Sequence, residues 1–89
     1  MQAIWKYPLQ AIDTQTIELP KDAKVLCVQA QNDVPCLWVV NKDTASKETE
    51  DRVFTIYGTG HLQTLIHGNY IGTFQLLSGS LVYHVFEET

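Results

Sequence analysis

The chain has 89 residues, enough for one domain spanning 1–89 with a modest core that buries somewhat over about 60% of the surface the unfolded chain exposes. Hydrophobic residues make up 45% and charged residues 18%, which excludes a disordered chain. Six Lys plus Arg against ten Asp plus Glu leave no basic stripe for a phosphate backbone, so no DNA or RNA duplex is expected as a partner.

The acidic excess is scattered apart from Glu48, Glu50 and Asp51 and the pair Glu87 and Glu88, and reads as solvated surface. The apolar run Leu37 to Val40 is among the longest, against the roughly 20 residues a membrane span needs. In "MQAIWKYPLQ", Lys6 and Pro8 interrupt the stretch a signal peptide would keep apolar. Cytoplasmic residence is the expectation, with no membrane partner and no cofactor.

In chain order, nearly every apolar segment is short, rich in β-branched and aromatic residues, and bounded by turn residues, which is the pattern of strands. The first runs from about Gln2 to Tyr7, with Ala3, Trp5 and Tyr7 on one face and Pro8 at its end. "TIEL", Thr16 to Leu19, puts Ile17 and Leu19 inward before Pro20 closes it. "AKVLCVQAQ", residues 23–31, alternates Leu26, Val28 and Ala30 against Val25, Cys27, Gln29 and Gln31. Asn32 and Asp33 supply a turn, because both tolerate positive φ. The returning "PCLWVVN", residues 35–41, is apolar on both faces and therefore central. "KDTASKETED", residues 42–51, is one long polar loop. "RVFTIYG" at 52–58, "NYIGTFQLL" at 69–77 and, after a turn at Ser78 and Gly79, "SLVYHVFE" at 80–87 complete the set. Six to seven strands predict an all-β fold, a small antiparallel sandwich or barrel, with a core containing Leu26, Val28, Trp38, Val40, Phe54 and Ile56.

Cys27 and Cys36 are the two cysteines. Their places in neighbouring strands allow them to face each other across a hairpin, while a reducing cytosol favours two core thiols. Of the three histidines, His61 and His67 lie in one loop out of register, and His84 alternates with apolar residues as a core or interface histidine would, so no metal site is expected. The glycines of "GTGH", Gly58 and Gly60, lack the Gly-Lys-Ser/Thr ending of a phosphate-binding loop and suit a strand exit or bulge. Gly72 reads as a bulge or as close packing under an aromatic ring. No Gly-x-Ser-x-Gly elbow is present and neither cysteine sits in a catalytic context, so no enzyme is expected.

What stands out is "YGTGHLQTLIHGNYIGTF", residues 57–74, where four of the five glycines and two of the three histidines concentrate. Tyr57, Gly58, Gly60, His61 and Tyr70 combine backbone donors, an imidazole and two phenol rings, the parts that a nucleotide or a protein hot spot uses. They form the candidate binding site. Apolar residues on both faces of the strands at 35–41 and 80–87 predict a homo-oligomer, most simply a dimer, with Tyr83, His84 and Phe86 at its interface.

At "IWKYPL", "TIELPKDAKVLCVQAQNDVPCLWVV", "FTIYGTGH" and "YIGTFQLLSGSLVYHVFE", the chain resembles a small uncharacterised family of about this length carried by tailed phages and prophages. The resemblance implies a phage accessory protein working in the bacterial cytoplasm. By analogy with that class, the expected function is non-enzymatic binding, as an antagonist of a host defence protein. An oligomeric trap for a small signalling nucleotide is the alternative; a small hydrolase and a structural component of the virion come after it.

Overall fold

The computed structural model describes residues 1–11 and 13–89. Seven strands carry the described chain: β1 (Ala3–Pro8), β2 (Thr14–Pro20), β3 (Lys24–Gln31), β4 (Val34–Asn41), β5 (Thr49–Gly58), β6 (Asn69–Leu76) and β7 (Leu81–Glu87). They form two antiparallel sheets, one in the order β1-β4-β3 and one in the order β2-β5-β7-β6. The fold class is thus all-β, as the strand periodicity predicts. β5 begins at Thr49 and takes up the end of the polar tract, so the loop is residues 42–48. The turn before β7 is a single 3-10 turn, Leu77–Gly79.

Local chemistry sets the two tight hairpins. Asn32 (φ 52) and Asp33 (φ 62) hold the left-handed pair that links β3 to β4, the turn whose twist matches that of the strands. The Asp33 carboxylate also accepts from the Leu77 N–H at 3.3 Å, which ties this hairpin to the 3-10 turn of the other sheet.

The core lies between the sheets. Leu19, Leu37, Val39, Phe54 and Val85 are fully buried, with Val28, Ile56 and Phe74 nearly so. This corrects three of the six predicted core positions. Leu26 is 43% exposed because β3 bulges there: Val25 pairs with Val39, Cys27 with Trp38 and Val28 with Leu37. The extra residue puts Val25 and Val28 on one face. β4 is apolar on both faces, and it turns Leu37 and Val39 inward, leaving Trp38 and Val40 half-buried on the outer face. Both thiols are free; Cys27 stands opposite Trp38 and Cys36 opposite Gln29, so the two do not face each other.

Gly72 follows a second bulge, between Tyr70 and Gly72 in β6, the atoms nearest its side-chain position belonging to Val28. It lies against β3: a methyl group there would stand 3.0 Å from Val28 Cγ1 and 3.4 Å from the Val28 nitrogen. The close approach seals the two sheets along β3 and β6.

Candidate functional site

β5, β7 and β6 lie side by side, and alternation along each sends one set of side chains into the core and the other outward. Phe54, Ile56, Val85 and Phe74 go inward. Tyr57 stands opposite His84 on the outer face, and Phe86 and Tyr70 are cross-strand partners. The three rings make a row. Tyr57 and Phe86 meet edge to face with centroids 5.5 Å apart, and Tyr70 meets Phe86 at 5.4 Å, the geometry aromatic quadrupoles favour.

These rings floor a groove of about 300 Å³, the lower end of the range for ligand pockets. The loop of residues 59–68 forms one wall, with His61 and Ile66 lining it. The His61 imidazole lies directly over the Cα of Gly58, where any Cβ would overlap the ring. Gly60 takes φ +80 in open space, and Gly68 takes φ +97 against the carbonyl of Glu87. The glycines therefore shape the exit from β5, seat an imidazole and close the loop.

His84 is held by hydroxyls on both sides. The Thr59 hydroxyl donates to the Val82 carbonyl at 3.0 Å, and having one proton it must accept at its 2.7 Å contact with His84 Nε2. Nε2–H is then the protonated nitrogen of the neutral ring, and Nδ1 accepts from the Thr73 hydroxyl at 2.9 Å. With that proton committed, the Tyr70 phenol donates to Thr73 Oγ1 at 2.6 Å. One ordered chain thus runs from Tyr70 through Thr73 and His84 to Thr59, and it fixes the Tyr70 ring at the rim.

All five predicted binding residues, Tyr57, Gly58, Gly60, His61 and Tyr70, line this groove, and so do two of the three residues assigned to an oligomer interface, His84 and Phe86. The third, Tyr83, points to the other face and packs on the core beside Phe74, because neighbours in a strand face opposite ways. Tyr57 is buried as part of the floor, whereas Tyr70 is 59% exposed. Thr59, Thr73 and Ile66 were not singled out from the sequence. So were the exposed Leu62 and Leu65 overlooked, at 99% and 67% exposure. One signal would have marked the whole region: between Val53 and Phe86 there is no Asp, Glu, Lys or Arg.

Among the described residues, no group of three His, Cys, Asp or Glu is placed to hold a metal ion, and no helix is long and apolar enough to cross a membrane. On the outer face the Glu88 carboxylate accepts from the Thr55 hydroxyl at 3.3 Å, and on the inner face an ion pair joins β5 to β7. Arg52 donates from Nε and Nη2 to the two carboxylate oxygens of Glu87 at 2.6 and 2.8 Å, and from Nη1 to the Ala23 carbonyl at 2.6 Å. The hydrogen bonds to Glu87 raise the guanidinium above its ordinary value, against the opposing effect of burial.

Fold and groove together define a two-sheet, all-β protein with an uncharged, aromatic-floored groove on one outer face. The family model described as "Domain of unknown function (DUF7352)" matches residues 1–89, and the chain belongs to that family. No curated protein and no solved structure matches it.

Proposed function

We propose that the chain is a phage-type accessory protein that acts in the bacterial cytoplasm by binding a host protein without turnover, as an antagonist of that protein. The observation that carries this reading is the chemistry of the groove: three rings and an aliphatic wall, with Leu62, Leu65 and Tyr70 exposed beside it and no formal charge. Aromatic residues concentrated in a partly covered pocket are what protein hot spots are made of. A signalling nucleotide fits less well, since its phosphates would meet no Lys or Arg anywhere from Val53 to Phe86.

A hydrolytic reading has one observation in its favour, the Thr73 hydroxyl donating to a histidine nitrogen. Two features count against it. The imidazole is oriented by the Thr59 hydroxyl instead of a carboxylate, and the Tyr70 phenol donates to the would-be nucleophilic oxygen, which withdraws electron density from it.

The test is affinity capture from bacterial lysate with the parent chain and with His61→Ala/Tyr70→Ala, two changes at exposed side chains. One stable complex retained by the parent and lost by the variant is expected. A panel of cyclic and linear nucleotides should leave the melting temperature unchanged. A nucleotide that raises it and is recovered intact would favour the trap, and one recovered chemically altered would establish an enzyme.

A further inference from the structure

The charge-free stretch from Val53 to Phe86 is not a featureless interior. It supplies β6, most of β5 and β7, and the loop of residues 59–68, and so builds the part of the second sheet's outer face that surrounds the groove, while β2 and the start of β5 supply the rest. Every residue from Thr59 to Tyr70 is exposed, and Leu62, Leu65, Ile66 and Tyr70 present 99%, 67%, 54% and 59% of their surface. Apolar groups left in water in such a group mark a contact surface.

We propose that this face is a two-fold interface between two copies of the chain, in which loop 59–68 of each copy covers the aromatic groove of the other with Leu62 and Leu65. In a two-fold interface residue i of one copy meets residue j of the other and j meets i, so a formal charge buried in it would have to find its counter-charge within the same patch. The chain carries a net charge of −4, which opposes association through most of its surface, whereas the loop and the groove lining bear none of that charge. The carboxylates of this outer face lie on its β2 side, with Glu18 opposite Asp51 and Glu88 accepting from the Thr55 hydroxyl. Socket and plug also lie on the same patch, as a reciprocal contact requires: the groove is walled by the loop that projects the two leucines. The other apolar outer face, around Ile4, Leu26 and Val34, sets Lys6 opposite Trp38 and Lys24 opposite Val40 in its midst, and pairing that face with itself would take these ammonium groups out of water.

The dimer goes beyond the proposed function, and its relation to the partner rests on that function, because both occupants would use one face. The experiment is light scattering coupled to size exclusion on the full chain across micromolar concentrations, at low and high NaCl. A dimer whose mass does not fall with salt is expected. Leu62→Asp/Leu65→Asp should weaken it by about tenfold or more with the β circular dichroism spectrum retained, while Ile4→Asp on the opposite face leaves it intact. Should the double aspartate variant not fold, Leu62→Ser is the substitute and is expected to move the same equilibrium. A monomeric parent, a dimer unaffected by the leucine changes, or one dissolved by Ile4→Asp would overturn the proposal. A captured complex should contain a single copy of this chain, and two copies per complex would overturn the covering of the groove. Absence of any captured protein would count against the proposed function alone, since the mass of the free chain still decides the dimer.

Discussion

Gly60 and Gly68 both sit at positive φ in the loop that walls the groove, yet their surroundings separate the cost of replacing them. At Gly60 a methyl group meets nothing within 4 Å, so Gly60→Ala should lose only the conformational preference, about 1 kcal/mol. At Gly68 the same methyl group would stand 2.5 Å from the Glu87 carbonyl oxygen and 3.2 Å from its carbon. Backbone cannot swing aside as a side chain does, and Gly68→Ala should cost roughly 2 kcal/mol or more. Urea unfolding of the two variants measures the difference. A second residue-scale effect concerns pH. Burial raises the Tyr7 phenol above its ordinary value of about 10. The unfolded chain then loses this proton first, so between the two values the folded state binds more protons and stability falls as pH rises. Its contribution is complete below about pH 10 and is lost through the folded value. Tyr7→Phe should flatten the alkaline decline in a pH series of thermal melts while leaving neutral stability little changed.

At the scale of elements, β4 shows what its sequence leaves open. With apolar residues at both parities, nothing in "PCLWVVN" says which set faces inward; its neighbours in the sheet and the packing of the second sheet decide it. β3 hides its bulge for a related reason. "VLCV" is apolar throughout, so slipping one residue outward at Leu26 breaks no visible alternation. The strands and the Asn32-Asp33 turn were legible because they rest on local preference, and the facing was not, because it rests on contacts distant in sequence. Truncation distinguishes the two faces. Leu37→Ala, at a fully buried side chain, should cost about 2–5 kcal/mol, and Leu26→Ala, nearly half exposed, under about 1 kcal/mol. Chemical denaturation of the pair checks the assignment. The groove was legible in part for the same reason. Its five predicted residues lie in one stretch, but only the pairing of β5 with β7 brings His84 and Phe86 to Tyr57.

For the whole molecule, the ends of the charge-free stretch are joined. Arg52 precedes Val53, Glu87 follows Phe86, and the two form a fork across β5 and β7 with side chains only 19% and 16% exposed. The same guanidinium holds the Ala23 carbonyl, so it also fastens the connection between β2 and β3, and thereby links both sheets at one end. Arg52→Ala would leave the Glu87 carboxylate and a backbone carbonyl without their donors, at an expected cost of about 3 kcal/mol. Arg52→Lys should recover less than half of it, since an ammonium cannot reproduce the planar fork. Equilibrium unfolding of both variants is the measurement. The hydrogen bonds to Glu87 raise the guanidinium further above its ordinary value, and since an arginine is not deprotonated in a folded protein, the pair adds nothing to the alkaline decline.

The approach of Gly72 to Val28 also has a meaning for the descent of the family. Position 72 can grow only if position 28 shrinks, because the two share one volume where the sheets are sealed. On the opposite side β1 and β2 leave an unsealed gap, with Trp5 and Tyr7 lining a cavity of about 300 Å³, and substitutions there have room to drift singly. Relatives with a larger residue at position 72 should therefore carry a smaller one at position 28, while the residues lining the β1–β2 gap vary independently of one another.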